Sequence, residues 1–231
     1  MIRVGGEFIG EPGDTEFQGL IYPDGDIITR HMAERLKAEP HYQSDKLEQA
    51  LGFVKQRRGA IDCGAWVGGW SRVLTSKFER VLSIEANADN ARCVRKNLKG
   101  NDNATVLHLA VGDQDRWTTA ARETGGANVG SRIVSEGAPN VMLRRIDSLP
   151  EVKTLLPHVD YIKIHVNGME LKALKGAAET IKQHKPVLTV VLKPAIADYA
   201  DSPDAARMFL HAELRYRCAG GERPYEIWVP R

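Results

Sequence analysis

A glycine-containing segment after a short apolar run is the first part of the chain whose residues could hold a ligand. It reads Asp62-Cys63-Gly64-Ala65-Trp66-Val67-Gly68, and a helix-like stretch begins near Ser71. Glycines let the backbone come close to a small molecule at the carboxyl end of a strand. The segment therefore predicts a ligand-binding loop. The alternative for Asp62 is an ordinary helix or turn cap.

Trp66 restricts which ligand such a loop could hold. A dinucleotide-binding loop reads G-x-G-x-x-G, and its second glycine makes room for a pyrophosphate. The indole of Trp66 stands at that place and would obstruct a pyrophosphate. A nicotinamide oxidoreductase is therefore disfavoured, and the absence of a Gly-Lys-Ser/Thr sequence disfavours a nucleoside triphosphatase. A phosphate-free cofactor with a charged amino-acid tail suits the loop better. The alternative for Trp66, and the preferred reading for Trp70, is packing under the first helix.

Glu85 is the second candidate ligand residue, because it ends the next apolar run 23 residues after Asp62. An acid at this spacing accepts hydrogen bonds from ribose hydroxyls in Rossmann folds. NAD and S-adenosylmethionine share that ribose, so the spacing alone does not separate the two cofactors. The alternative for Glu85 is a solvated strand end.

His165 is the candidate catalytic base. It ends the run YIKIHV (161–166), where the two-residue period of a strand puts Tyr161, Lys163 and His165 on one face. With an ordinary pKa of about 6.5, an imidazole there could take a proton from a substrate hydroxyl, a step worth about 10² to 10⁴ in rate. The alternative is a hydrogen-bonded structural histidine. The other histidines show no metal-ligand spacing.

The elements that must position these residues follow an alternating pattern. After Gly59, short apolar runs alternate with amphipathic stretches, which is typical of βα units around a parallel sheet. The predicted strands cover 60–65, 80–86, 104–111, 161–166 and 186–192, and the predicted helices cover 71–78, 88–98 and 169–183. Residues 112–140 predict a long loop or hairpin at the carboxyl edge of the sheet. The ending LRYRCAGGERPYEIWVP predicts a hairpin whose final strand is antiparallel to its neighbours.

The amino-terminal part differs from the rest in composition. Its first 26 residues hold six glycines and two prolines, which predicts irregular chain or short edge strands. Apolar spacing then predicts helices over 26–37 and 44–56. We expect one structural domain, in which an extension of residues 1–58 packs on a core of residues 59–231.

Charge and cysteine content narrow the classes of partner. The net charge is only +2, which gives no support to a nucleic-acid partner. No apolar run is long enough for a membrane span and no secretion signal is visible, so we expect no membrane partner. The three cysteines form no CxxC pair, which argues against a disulfide framework and a zinc site. These features favour the cytoplasm.

Five motifs in order make the chain resemble the FkbM-type methyltransferase family. DCGAWVGGWS (62–71) stands where the family has D-x-G-A-N-x-G-x-x-S, and IEANADN (84–90) where it has Glu-Pro-Asn. LAVGD (109–113) and LRRIDSL (143–149) follow. The long segment 161–188 resembles K-I-D-V-E-G-x-E, then L-K-G-A and K-P.

This resemblance implies a fold, a cofactor and a reaction. The fold is an α/β, Rossmann-like, mostly parallel sheet of seven strands in the order 3-2-1-4-5-7-6, with helices on both faces. The reaction is methyl transfer from S-adenosylmethionine to a hydroxyl of a sugar, polyketide or related metabolite. The implied cofactor residues are Asp62, Gly64, Trp66 and Gly68 around the methionine part, Glu85 at the ribose, Ala110 and Val111 beside the adenine, and Ala65 and Ala86 as further cofactor contacts.

The chain departs from the family pattern at several positions. Trp66 replaces Asn and Ala86 replaces Pro, while His165 and Asn167 replace two acids of the fourth strand. Loss of those carboxylates makes a catalytic magnesium ion unexpected, and it leaves a catalytically silent cofactor-binding or interaction module as the alternative function. Lys163, Asn167 and Glu170 are the substrate candidates, the last two with helix capping as the alternative. Whether the chain forms a homo-oligomer is left open.

Overall fold

The computed structural model describes residues 14–23, 43–122, 131–134, 137–154 and 157–231. In chain order the strands are β1 Asp14–Phe17, β2 Leu20–Pro23, β3 Gly59–Cys63, β4 Arg80–Glu85, β5 Ala104–His108, β6 Ala110–Val111, β7 Arg116–Arg122, β8 Ser131–Val134, β9 Val141–Arg144, β10 Tyr161–Ile164, β11 Val187–Val191, β12 Tyr216–Gly220 and β13 Tyr225–Pro230. The α-helices are α1 Ser44–Leu51, α2 Gly69–Thr75, α3 Ala88–Asn97, α4 Pro150–Thr154, α5 Glu170–Gly176, α6 Ala178–His184 and α7 Pro203–Met208.

A seven-stranded sheet forms the centre of the molecule, in the order β5-β4-β3-β10-β11-β13-β12. Counted along the chain, these strands read 3-2-1-4-5-7-6. The pairs among β5, β4, β3, β10 and β11 are parallel, whereas β13 is antiparallel to both of its neighbours. The α/β, Rossmann-like prediction is therefore confirmed, as is the antiparallel final strand.

Both faces of this sheet are covered, which explains the continuous apolar runs of its strands. Every residue of β3, β10 and β11 is buried, as expected of central parallel strands. Ile61 and Ile162 face one apolar cluster, whereas Ala60 and Tyr161 face a second one that includes residues of α1 and α2. Alternate residues of one strand thus serve two cores, and the strand ends are left to position the site.

Several predicted elements differ from the observed ones. The predicted helix 169–183 is two helices, α5 and α6, that meet at Ala177. Gly176 lies against the backbone there, since a Cβ atom on it would be 1.8 Å from the carbonyl oxygen of Gly112. The run 104–111 also divides, because β5 belongs to the central sheet and β6 to another. The predicted helix 44–56 ends at Leu51, and the one over 26–37 lies outside the described residues.

A second, smaller sheet borders the carboxyl edge of the first. Its order is β6-β9-β7-β8, and β7 and β8 pair in antiparallel fashion. The hairpin predicted within 112–140 is therefore present. Its inward side chains, such as Val141 and Leu143, pack with Met169 just before α5. This sheet consequently forms a wall beside the ends of β4 and β10.

The described amino-terminal residues form an antiparallel hairpin of β1 and β2, separate from the central sheet. Leu20 and Tyr22 of this hairpin pack with Val67 and with Cys93 of α3. The hairpin therefore lies against the loop that follows β3. Among the residues that the structure describes, no helix has both the length and the apolarity needed to span a bilayer.

Candidate functional site

Gly64 is the point where the loop after β3 meets the end of β10. Its φ of 78° is in the left-handed region that favours glycine. A Cβ atom on it would lie 1.9 Å from the carbonyl oxygen of His165. The amides of Gly64 and Ala65 both donate to the carbonyl of Ile84, at 2.9 and 3.0 Å. The loop is thus fixed against two neighbouring strands, and only glycine fits at position 64.

Trp66 lies in the left-handed region as well, with φ at 53°. A non-glycine residue there carries strain on the order of 1 to 3 kcal/mol, and Asn, the residue of the family pattern, tolerates this region far better. The indole contacts the hairpin edge-on, with its ring centroid 5.4 Å from that of Tyr22. The alternative that Trp66 packs under the first helix is therefore wrong. Trp70 is buried and packs with Leu74 of α2, which agrees with the packing role preferred for Trp70 from the sequence.

Glu85 is joined to this loop by a direct hydrogen bond. The amide of Trp66 donates to Oε2 at 2.8 Å, and the amide of Asn87 donates to Oε1 at 2.9 Å. The side chain is only 6% exposed, so the alternative of a solvated strand end is wrong. Burial raises the pKa of Glu85, although these bonds, the Lys163 charge and the Asn90 side chain act in the opposite direction. A carboxylate offers about four acceptor sites, which is more than the three donors Trp66, Asn87 and Asn90 occupy.

Asp62 and Lys163 form a buried ion pair beneath the loop. Nζ of Lys163 donates to Oδ1 of Asp62 and to the carbonyl of Gly64, both at 2.7 Å, and Oγ of Ser71 donates to Oδ2 at 2.7 Å. Asp62 is 0% and Lys163 5% exposed. Both side chains are directed at each other and at the loop, and their contacts with a cofactor or substrate stay predictions. Both residues support the loop from below, and removing one partner would leave a buried charge.

His165 follows β10 and is half-buried. Its ring packs edge-on against Tyr225 of β13, with the two centroids 5.9 Å apart. Burial lowers the pKa of His165 well below its usual value, and the charges of Lys193 and Lys163 lower it further. The imidazole is therefore neutral at physiological pH. A neutral ring at this strand end has a lone pair that can accept a proton.

Glu170, predicted to contact substrate or to cap the following helix, is the first residue of α5 and binds backbone amides of the turn before that helix. Its carboxylate accepts hydrogen bonds from the amides of Val166 at 3.0 Å and Gly168 at 2.9 Å, and the residue is 0% exposed. Burial raises its pKa to about 7. The carboxylate therefore braces the turn after β10. Asn167 lies within that turn at φ 49°, and its contact with a substrate stays a prediction.

The remaining predicted cofactor residues are mostly buried by packing within the protein. Ala65, Ala110 and Val111 are 4%, 4% and 3% exposed, so their side chains offer a ligand little surface. Ala86 is half-buried, and its carbonyl oxygen lies 3.1 Å from Nε2 of His108. The carboxyl ends of β4 and β5 are thereby joined. Cofactor contacts of these four residues and of Gly68, which begins the approach to α2 at φ 87°, remain predictions.

Sequence reasoning missed three residues that the structure brings to the site. Tyr22 contacts the indole of Trp66, Asn97 bonds to the loop, and Tyr225 packs on His165. Each is far along the chain from its contact and stands in no motif, so no local signal could have revealed it. Among the described residues, no group of His, Cys, Asp and Glu could hold a metal ion.

Three solved structures illustrate the similarity in fold. Methyltransferase FkbM from Methylobacillus flagellatus KT is 22% identical, with 77% of this chain and 45% of that chain covered and a TM-score of 0.52. A SAM dependent methyltransferase from Aquifex aeolicus is 14% identical, with coverage of 85% and 95% and a TM-score of 0.46. Precorrin-6y C5,15-methyltransferase from Geobacter metallireducens GS-15 is 15% identical, with coverage of 80% and 87% and a TM-score of 0.43. This chain spans less than half the length of the first protein.

The sheet order, together with the loop and acid at the ends of β3 and β4, defines a Rossmann-like α/β fold, which is similar to that of the Methylobacillus flagellatus protein. The model of the methyltransferase FkbM domain matches residues 62–218, more than half of the chain. The chain belongs to the methyltransferase FkbM domain family. No curated protein matches its sequence.

Proposed function

We propose that this chain transfers the methyl group of S-adenosylmethionine to a hydroxyl of a sugar or another small metabolite. The observation that carries the proposal is the buried carboxylate of Glu85, bonded to the amide of Trp66 where β3 and β4 end. A buried acid at this place suits a ribose hydroxyl. The sequence pattern, in which Trp66 stands where a dinucleotide loop has its second glycine, disfavours a pyrophosphate. Membership of the methyltransferase FkbM domain family supports the same choice of cofactor.

The residues present fit S-adenosylmethionine. Glu85 would accept a hydrogen bond from the ribose, the loop from Gly64 to Gly68 would border the methionine part, and Ala110 and Val111 would border the adenine. When bound, the cofactor supplies a methyl group on a positively charged sulfur. The protein then has to hold the acceptor oxygen in line with that methyl group, and alignment alone contributes much of the rate.

His165 supplies the remaining chemistry in this proposal. As the acceptor oxygen takes the methyl group, its hydroxyl proton passes to a ring nitrogen of His165. The lowered pKa keeps that nitrogen unprotonated beforehand, which is what a general base requires. Asn167, at the turn after β10, is the proposed partner for another polar group of the acceptor.

A thermal-shift comparison tests the cofactor assignment. S-Adenosylhomocysteine at about 100 times its dissociation constant should add about 2.7 kcal/mol of stability, while NAD at equal concentration should add none. Glu85→Ala is the matched variant and should show a smaller shift with S-adenosylhomocysteine. A shift with NAD alone would refute the proposal.

A labelled-methyl assay then tests the reaction against the silent alternative, which the replacement of two family acids by His165 and Asn167 favours. A panel of hydroxylated sugars and metabolites is incubated with the chain and labelled S-adenosylmethionine. Transfer to an acceptor oxygen supports the proposed reaction. Only a labelled product separates the two hypotheses, because an acceptor outside the panel would also give no transfer.

A further inference from the structure

The amino-terminal hairpin is tied to α3 by a charged contact. The carboxylate of Asp14, 4% exposed, accepts hydrogen bonds from Arg92 at 2.5 and 2.7 Å and from Lys96 at 2.8 Å. Burial alone would raise the pKa of Asp14, but these two cations outweigh it, and the pKa lies below its usual value. Arg72 of α2 also donates to the carbonyl of Gly19 in the turn of the hairpin. The hairpin is therefore anchored at both ends.

The side chain of Asn97 connects this hairpin to the loop after β3. Its Oδ1 accepts from the amide of Ile21 at 2.7 Å, and its Nδ2 donates to the carbonyl of Ile21 at 2.9 Å. The same Nδ2 donates to the carbonyl of Val67 at 2.7 Å. One amide group thus satisfies both backbone groups of a hairpin residue and one carbonyl of the loop.

The loop needs such support because its conformation is strained. Trp66 sits in the left-handed region, which persists only where the surroundings enforce it. Glu85 holds the amide of Trp66, and Asn97 holds the carbonyl of the next residue, Val67. Tyr22 contacts the indole from the hairpin side. Two of these three contacts depend on the hairpin or on the residue that binds it.

We infer that Asn97 is a positioning residue for cofactor binding, and that the amino-terminal hairpin completes the cofactor site through it. The inference rests on the proposed binding of S-adenosylmethionine. Asn97 acts through the loop, because its bonds go to Val67 and Ile21. A loop that is already held in its binding conformation loses less entropy when a ligand binds, so the bond to Val67 raises affinity.

Calorimetry with S-adenosylhomocysteine and the full chain tests this inference. Loss of the Val67 bond in Asn97→Ala should weaken binding about three- to tenfold, as expected for one net hydrogen bond. Asn103→Ala is the matched control, because the Asn103 amide donates to the carbonyls of Thr75 and Phe78, both at 2.9 Å, near the amino end of β5. It removes similar bonds away from the site and should leave the affinity unchanged.

Hydrogen exchange without any ligand provides a second readout. Backbone amides of residues 64–68 should exchange faster in Asn97→Ala than in the wild-type chain, but not in Asn103→Ala, because only Asn97 reaches the loop. Should Asn97→Ala fail to fold, Asp14→Asn weakens the hairpin anchor while Asn97 stays in place. It should change affinity and exchange in the same direction.

The outcomes separate this inference from the proposed function. A wild-type chain that does not bind S-adenosylhomocysteine overturns the proposed function, and the inference with it. If the wild-type chain binds S-adenosylhomocysteine and the variants show unchanged affinity and unchanged amide exchange, the inference alone is overturned. If Asn97→Ala loses as much stability as Asn103→Ala but no affinity for S-adenosylhomocysteine, Asn97 has a structural role only, and the inference is overturned.

Discussion

The proposed donor end of the site, where β3 and β4 end, differs in construction from the proposed acceptor end, where β10 ends. At the donor end, an acid of the family pattern is present and its oxygens are held by backbone amides of Trp66 and Asn87. At the acceptor end, two acids of that pattern are replaced by His165 and Asn167. The imidazole there lies under the influence of the positive charges of Lys193 and Lys163. The proposed donor end thus keeps the family acid, although Trp66 and Ala86 depart from the pattern beside it, while the proposed acceptor end has exchanged negative groups for neutral ones.

This contrast indicates that the two ends bind different molecules. A cofactor common to a family requires the same acid in every member. An acceptor that differs between members requires new side chains beside the transferred methyl group. The predictions below test the boundary between the two ends and then each end separately.

The largest effect is expected where the two ends meet. In Gly64→Ala the new Cβ would collide with the carbonyl oxygen of His165, so β3 and β10 would have to separate. We expect a loss of more than about 4 kcal/mol in the free energy of unfolding, seen as a loss of folded protein by circular dichroism. Gly100→Ala is the control, because Gly100 has φ 88° but no atom within 4 Å of its would-be Cβ. Equal losses in both variants would show that strain, and not the close approach, determines the effect.

The second effect concerns Glu170, whose pKa is raised from 4.5 to about 7 by burial. A raised pKa means that the folded state binds the proton more tightly, so its contribution to stability is complete below pH 4.5 and is lost as the pH rises through 7. Each pKa unit corresponds to about 1.4 kcal/mol, which gives a change on the order of 3 kcal/mol. Urea unfolding of wild type and Glu170→Gln across this range measures it. The advantage of the wild type over the variant should shrink with rising pH, and a constant difference would contradict the assignment.

The third effect tests the acceptor end by catalysis. His165→Ala should lower kcat at least about a hundredfold through loss of the general base, with the dissociation constant of S-adenosylhomocysteine unchanged. Because the pKa of His165 lies well below 6.5, kcat of the wild type should not fall between pH 8 and pH 6.5 through protonation of this group. His184→Gln is the control, since His184 ends α6 and precedes β11, at the other end of the sheet. Full activity of His165→Ala would leave positioning as the sole source of the rate.

Much of the fold could be predicted from the sequence, because apolar runs and helix periodicity report burial directly. The five parallel strands of the core and the terminal hairpin were visible in this way. The division of the predicted helix at Ala177 was not, because it depends on the close approach of Gly176 to Gly112, 64 residues earlier. Contacts between segments that are distant along the chain produce no periodic pattern in the local sequence.

The same limit applies to the site. Gly64 and Glu85 were identified from their spacing, and the structure joins both to one loop. The spacing could not show that Lys163 would be drawn into an ion pair with Asp62, 101 residues away. A lysine on the same strand face as His165 looks like a substrate contact until the position of the opposing carboxylate is known. Pairing between strands, and not residue type, decides its role.

The smallest of the four effects is expected at the proposed donor end, where Glu85→Ala is compared with His165→Ala at the proposed acceptor end. Glu85→Ala removes the proposed ribose acceptor and should weaken S-adenosylhomocysteine at least about tenfold, since a hydrogen bond to a charged group contributes about 1.5 to 3 kcal/mol. Once the cofactor is saturating, kcat should recover, the reverse of His165→Ala. Glu85→Gln keeps one acceptor oxygen and should fall between the wild type and Glu85→Ala. Calorimetry and initial rates on the same preparations measure the two effects separately. If Glu85→Ala instead lowered kcat at saturation and left binding intact, the acid would act on the reacting atoms. The assignment of donor and acceptor ends would then have to be exchanged.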